Sequence, residues 1–402
     1  MYNGAEGHGT VRDADIAIVG IGEARVGRDA GCTSWELHAE AVETALDDAG
    51  LGLRDVDGLI SCPSTMDDHA RHHVLLAEHL GMPWKRYTDS SRVGGASSTS
   101  AVRDAVNIIR AGLAEVVLIS CADSQRSTIG RGDTPVVKMA HYHSLDYEIP
   151  YGPMIISLYA LIAQRWMHEY GWAPEKVAEV AVSQRYNASL HPGAQERSPI
   201  TVEDVLNSRP ITDPLRMLNC SLISDGGTAL VVTTGERARS LKQKPIYVLG
   251  MGNAYSYYFC WNLPDYTDYI RMLVQTSADS AFAQAGVSQN EIDLAFVGDP
   301  ADICTLVGIE GMGFAKPGEA VDFVQDGRIR VGGGLPVNTH GGNLSYAHPG
   351  APGQHLHLIE AVRQLRGGLG DRQVRDAEVA AVHGDAGVLT SHCTLILGND
   401  RR

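Results

Sequence analysis

The residues best suited to chemistry are concentrated in one glycine-rich stretch, Val337-Asn338-Thr339-His340-Gly341-Gly342-Asn343-Leu344-Ser345-Tyr346-Ala347-His348-Pro349-Gly350-Ala351-Pro352-Gly353. Two imidazoles, a phenol and amide groups crowd into a turn that runs into a helix expected to begin near Gln354. Imidazole and phenol side chains carry protons in general acid–base catalysis. A glycine turn at a helix N-terminus presents backbone N–H groups to a developing oxyanion. The stretch therefore fits a reaction that passes through an oxyanion. A glycine-rich turn that only reverses the chain is the competing reading.

Other chemical signals are weaker. Gly20-Ile21-Gly22 supplies the first two glycines of a dinucleotide fingerprint, but Arg25 stands where the third belongs, which speaks against NAD. Asp67-Asp68-His69-Ala70-Arg71-His72-His73 could clasp a metal, yet a charged, solvated helix face explains it better, and no metal is expected. The seven cysteines form an odd set with no CxxC pair, so neither a zinc site nor a disulfide framework is expected. P-loop, GxSxG and HExxH motifs do not occur.

Strands and helices alternate along the chain, the signature of an α/β fold. Ile16–Gly20 reads as a strand, and Thr33-Ser34-Trp35-Glu36 supplies a capping box for a helix that Gly50 stops. Val56–Ser61 and Glu115–Ser120 read as strands, with a helix opening at Gly94-Gly95-Ala96 between them. Ile246–Gly250, Ala377–His383 and Ser391–Leu397 supply later strands. The order recurs. Ala49-Gly50-Leu51 before Asp55-Val56-Asp57 returns as Ala285-Gly286-Val287 before Glu291-Ile292-Asp293, and Ala105–Gly112 returns as Ala361–Gly368. Two blocks in the same order predict an internal duplication. The expected halves are 15–240 and 241–402, with residues 121–228 as a loop domain laid over the core.

Acidic residues outnumber basic ones 48 to 33, and the net charge of −15 is the wrong sign for nucleic acid or an anionic membrane. No run approaches the roughly 18–20 apolar residues of a membrane span. The polar start, Met1–Asp15, does not read as a signal peptide, so a cytoplasmic protein is expected.

Taken together, the duplicated halves, Ser224-Asp225-Gly226-Gly227, the Asn338–Gly353 stretch and the ending His383-Gly384-Asp385-Ala386-Gly387-Val388-Leu389 resemble the thiolase superfamily, in its lipid-transfer-protein (SCP-x) branch. The resemblance implies a five-layered αβαβα fold, a homodimer, here expected to join through Glu115–Ser120, and an acyl-CoA substrate, with CoA entering only as part of that substrate and no separate cofactor. It also implies a nucleophilic Cys at the position of Gly95, a His in the motif replaced by Gly298-Asp299-Pro300-Ala301, and a second Cys within His383–Gly387. All three are missing, and of the family's catalytic set only His348 remains.

Without a nucleophile the two-step acyl transfer of a thiolase is lost. The chain resembles instead the Cys-less steroid side-chain aldolases, which work with a small OB-fold partner of the DUF35 type and carry a Tyr where Tyr346 stands. The expected function is a retro-aldol cleavage of a 3-hydroxyacyl-CoA through a thioester enolate. Tyr346 would take the hydroxyl proton, and His348 and the amides near Gly94, Gly95 and Gly342 would stabilise the enolate. Asn338, His340 and Asp299 would orient these groups. Two alternatives stand beside it: an acyltransferase using another residue, with Cys304 foremost, and a non-catalytic subunit of a heteromeric complex. Tyr255–Trp261 concentrates aromatic surface suited to a partner, or equally to a core.

Overall fold

A computed structural model describes residues 15–400 except 28–30, 67–68, 84, 130–145, 148–149, 151–153 and 259–264. The first half contains β1 (Ile16–Glu23), α1 (Ser34–Ala49), β2 (Gly58–Cys62), α2 (His72–His79), β3 (Tyr87–Ser90), α3 (Ser97–Arg110) and β4 (Val116–Asp123). An insertion follows with α4 (Ile155–Tyr170) and α5 (Pro174–Leu190), after which β5 (Gly226–Thr234) returns to the sheet. The second half contains β6 (Ile246–Tyr255), α6 (Tyr266–Ala285), β7 (Leu294–Val297), α7 (Asp302–Gly311), α8 (Gly353–Arg366), β8 (Val379–Ala386) and β9 (Ser391–Gly398).

These nine strands join in one sheet in the order β3-β2-β4-β5-β1-β6-β9-β8-β7. From the joint outward, each half repeats one pattern. β1-β5-β4 pair antiparallel and β4-β2-β3 parallel, while β6-β9-β8 pair antiparallel and β8-β7 parallel. The joint itself is short: Ala17 faces Tyr247 and Ile18 faces Ile246.

Alternation along the strands builds the layers. Ile16, Ile18, Val117 and Ile119 of the first half share one core with Leu294, Phe296, Ala380 and Val382 of the second, and α3 and α8 fill the space between them. The opposite faces point outward, Ala17, Val19, Val116 and Leu118 onto α1 and Ala295, Val297, Val379 and Ala381 onto α6 and α7. Helix, sheet, helix pair, sheet and helix make the five layers expected of the thiolase-like α/β fold. The insertion packs its α4 and α5 on the outer side of the second half. β4 continues to Asp123, past the expected end at Ser120, and β5 starts at Gly226, within the stretch expected for the loop domain.

The repeat is physical as well as topological. A Cβ at Gly20 or Gly22 would lie 2.3 Å from the Ala45 carbonyl or 2.0 Å from that of Ala41, and one at Gly250 or Gly252 would lie 2.0 Å from the Ala281 carbonyl or 2.1 Å from that of Ser277. Glycine pairs in β1 and β6 thus let α1 and α6 lie against their strands. That accounts for the Gly20-Ile21-Gly22 fragment without a nucleotide. Asp57 accepts from the amides of Glu115 and Val116, and Asp293 from those of Glu378 and Val379, so one repeated carboxylate ties each half's first parallel strand to the next.

One expectation is corrected. β4 lies between β2 and β5, with both edges used, and cannot join a second copy. The outer edge of the first half is β3. Among the described residues no helix is long and apolar enough to cross a membrane.

Hydrogen bonds to a charged group contribute about 1.5–3 kcal/mol each. Replacing Asp57 or Asp293 by Ala should lower unfolding free energy by a similar amount, about 1–3 kcal/mol in urea titration. Two variants with unchanged midpoints would show that the repeated carboxylate holds nothing.

Candidate active site

β7 ends at Val297, and the chain turns through Gly298 and Asp299 into α7. Asp299 is fully buried. Its Oδ1 accepts from the Asn343 amide at 2.9 Å and its Oδ2 from the Leu344 amide at 3.3 Å, which caps the single helical turn Gly342–Ser345. The conformation of that turn requires glycine: Gly342 has φ of +63°, and a Cβ there would fall 2.1 Å from Asp299 Oδ2. His357 on α8 reaches Asp299 Oδ1 and the Val297 carbonyl with Nε2, each at 3.1 Å. That carbonyl only accepts, so Nε2 carries the proton and His357 Nδ1 accepts from His340 Nε2 at 3.2 Å. Burial, then His357, pushes the His340 imidazole well below its usual range and keeps it neutral.

Tyr346 stands beyond His340, ring centres 5.1 Å apart, with His191 packed edge-on at 4.6 Å. Its hydroxyl donates to Glu23 at the end of β1, and the other Glu23 oxygen pairs with Arg363 Nη1 at 2.8 Å. Burial and the Glu23 carboxylate push the phenol well above its ordinary value of 10.0. Tyr346 therefore stays protonated at rest, and the route for its own proton leads to Glu23. His348 sits on the same loop, its Nδ1 2.8 Å from Ser221 Oγ, and burial pushes its imidazole down to about 4.

Asn338 is used up by the backbone. Its Oδ1 accepts from the Val297 amide at 2.9 Å and its Nδ2 donates to the Val297 carbonyl at 3.0 Å, extending β7 as a strand would. Asn338 thus keeps no side-chain group free for a substrate oxyanion. Gly342 seats a carboxylate. Gly94 and Gly95 form the turn that leads into α3, as expected.

The surroundings of Gly95 and Gly298 decide what chemistry is possible. A Cβ at Gly95 would lie 2.6 Å from the Asp385 carbonyl and 2.7 Å from Gln354 Nε2, and one at Gly298 would lie 1.8 Å from Asp385 Oδ1 and 2.5 Å from Gln354 Nε2. Asp385 and Gln354 occupy the space that side chains at both positions would need. Neither Cys304 nor Cys62 offers a ready nucleophile in its place. Burial, then the Asp385 carboxyl, pushes Cys304 well above the ordinary thiol range. The most acidic described thiol is Cys62, lowered to about 6 by Cys121 and then His355, but it is fully buried between β2 and α3.

Sequence reasoning missed Glu23, His191, Ser221, Gln354, His357, Arg363 and Asp385. Gln354 and His357 follow the Asn338–Gly353 stretch directly on α8 and Asp385 lies in the ending His383–Leu389, but none was read as a site residue, while Glu23, His191 and Ser221 are brought there by tertiary pairing alone. Of the suspected metal motif, Asp67 and Asp68 lie outside the described residues. His72 stacks on Trp35 at 5.0 Å, and His73 Nδ1 lies 2.9 Å from Ser90 Oγ. Among the described residues no group of three or more His, Cys, Asp or Glu is arranged to hold a metal ion.

A family model described as thiolase C-terminal domain-like matches residues 260–399. A steroid side-chain-cleaving aldolase of Thermomonospora curvata is 35% identical over 96% of this chain and 98% of its own. The chain belongs to the thiolase superfamily. A 17-hydroxy-3-oxo-4-pregnene-20-carboxyl-CoA lyase of Mycobacterium tuberculosis is 36% identical over 95% of this thiolase-like chain and 98% of its own. A solved Ltp2-ChsH2(DUF35) aldolase superposes with a TM-score of 0.85 at 34% identity, covering 98% of this chain and 100% of that one. These relatives set it in the SCP-x branch of the thiolases.

The imidazole of His348 is held neutral, so its sign in pH-dependent stability is fixed. Its folded value, about 4, lies below the ~6.5 of an unfolded chain. Its contribution is complete above pH ~6.5 and is lost as pH falls toward 4, because only the unfolded chain then binds the proton. Between those limits His348→Asn should lose less stability than wild type in urea melts. Equal losses would mean that the imidazole charges freely in the folded protein.

Proposed function

We propose that the chain is a thiolase-like carbon–carbon lyase that cleaves a 3-hydroxyacyl-CoA by a retro-aldol reaction, without a covalent acyl-enzyme. The carrying observation is the filling of the space at Gly95 and Gly298 by Asp385 and Gln354, beside an intact proton path from Tyr346 to Glu23. The relatives' side-chain-cleaving and CoA-lyase names agree with this chemistry and direct the acyl group toward a sterol-derived chain.

In the reaction the substrate's 3-hydroxyl loses its proton, the C2–C3 bond breaks, and its electron pair passes into the thioester enolate. Tyr346 accepts the hydroxyl proton while its own moves to Glu23, whose carboxylate the Arg363 ion pair fixes in place. This concerted relay avoids a free phenolate, which the buried setting disfavours. His348, in the tautomer whose Nδ1 accepts from Ser221 Oγ 2.8 Å away, donates from Nε2 to the enolate oxygen, aided by the amides of the turn at Gly95 before α3. The chain Asp299, His357, His340 holds the Tyr346 ring in position. CoA enters with the substrate, and no resident cofactor takes part.

An OB-fold partner of the DUF35 type completes the enzyme in this reading, in keeping with the DUF35 component of the solved Ltp2-ChsH2(DUF35) aldolase. Tyr257, 97% exposed, and its neighbours Tyr255 and Tyr258 offer an aromatic surface for it; Phe259, Cys260 and Trp261 lie outside the described residues. A homodimer would join through the β3 edge. The six described cysteines, all free thiols, suit a reducing cytoplasm.

The chain with its co-purified partner should convert a 3-hydroxyacyl-CoA to equimolar carbonyl compound and shortened acyl-CoA. Tyr346→Phe and Glu23→Gln should each lower kcat about 10²–10⁴-fold, as loss of a general base does, with KM little changed. Full activity in Tyr346→Phe would reduce the Tyr to packing. Absence of carbonyl product from every 3-hydroxyacyl-CoA offered would favour a scaffolding subunit.

A further inference from the structure

The reaction above leaves one proton unassigned, the one that must reach C2 of the enolate. Tyr346 and Glu23 take a proton from the opposite side of the bond and are full after cleavage. His348 is neutral and donates a hydrogen bond to oxygen. A separate acid is needed.

Asp385 is 2% exposed at the end of β8. Its main chain and side chain are clamped by one residue: its amide donates to Gln354 Oε1 at 3.0 Å, and Gln354 Nε2 donates to its carbonyl at 2.8 Å and to its Oδ1 at 3.1 Å. Its Oδ2 is buried and has no hydrogen-bond partner. An ionised carboxylate with a bare oxygen away from water is strongly disfavoured, whereas a protonated one is tolerated there. Asp299 has the opposite environment, with two backbone amides and His357 donating to it. Two neighbouring carboxyl groups in environments that push their proton affinities apart form an acid and a base pair. Burial, then the Asp299 charge, pushes Asp385 up to about 7, which agrees with this division. The residue also stands in the right place: its main-chain carbonyl lies against Gly95, in the turn before α3, and its carboxyl Oδ1 lies against Gly298.

We propose that Asp385 is the acid that delivers the proton to C2 of the thioester enolate, with Gln354 holding it in position. This rests on the retro-aldol reading. The Oδ2–H bond breaks, its electron pair stays on the carboxylate, and the enolate's pair forms the new C2–H bond. The proton held by Glu23 leaves to solvent, and Asp385 takes one from solvent, which restores the starting state.

Asp385→Asn keeps the acceptor for Gln354 and removes the acid. Propionyl-CoA incubated in D₂O with the full chain and its partner should gain deuterium at C2, read by mass spectrometry, and Asp385→Asn should lower that exchange at least about 100-fold, as loss of a general acid does. A wild type that exchanges but does not cleave hydroxyacyl-CoA would sink the lyase reading and leave this assignment standing. Exchange at wild-type rate in Asp385→Asn, or no exchange by wild type, would overturn it. Stability gives a check independent of turnover. The folded value of about 7 lies above the ~3.9 of an unfolded Asp, so wild type loses stability as pH rises between them, and the variant does not. The stability of Asp385→Asn relative to wild type should therefore grow from pH 4 to 7, and a constant difference would contradict a protonated Asp385.

Discussion

The site depends on one buried carboxylate. Asp299 is fully buried and is held by the amides of Asn343 and Leu344 and by His357 Nε2. Burying a charge is tolerable only with such partners, and they come from two elements, the turn Gly342–Ser345 and α8. The carboxylate therefore fixes the end of β7, the turn Gly342–Ser345 and α8 relative to one another. Tyr346 and His348 follow directly after that turn, so their placement inherits its rigidity. Gly342 must lack a side chain because the carboxylate occupies the place of its Cβ.

The same economy of space shapes both the scaffold and the chemistry. Gly20 and Gly22, and again Gly250 and Gly252, bring a helix backbone onto a strand in each half. Close contact there leaves the inner faces free to share α3 and α8 in one central layer. The N-termini of those two helices meet near Gly95 and Gln354, and Gln354 with Asp385 fills the corner. A thiolase-like fold is thereby kept while room for a covalent nucleophile is lost. Proton transfer and enolate stabilisation, which need only hydrogen-bonding groups in fixed places, remain available.

Much of the scaffold was legible because it rests on local signals. The capping box Thr33/Glu36 and the left-handed Gly50 bound α1 as expected, and the repeated Asp57 and Asp293 marked a duplication that the strand order displays. The glycine pairs in β1 and β6 carried the same message and went unread as a repeat, because the first was weighed only as a nucleotide fragment. Edge positions were not legible: Glu115–Ser120 is as apolar as any strand, and only the sheet order reveals that both its sides are paired. Within the site, Tyr346, His348, His340 and Asp299 announced themselves by type and context. Asn338 has the same polar character, yet the Val297 backbone consumes both its side-chain atoms. Glu23 lies far from the motif in sequence, and neither Arg363, further along the helix that begins at Gly353, nor Asp385, in the ending His383–Leu389, carries a periodicity that joins it to the site.

Cleavage without a covalent intermediate is the claim on which the rest turns. Intact-mass spectrometry of the protein, sampled while it converts a 3-hydroxyacyl-CoA, tests it most directly. The expected spectrum shows the unmodified chain at every time point while carbonyl product accumulates. A mass gain equal to an acyl group, abolished by Cys62→Ser or Cys304→Ser, would contradict it and restore an acyl-transfer mechanism.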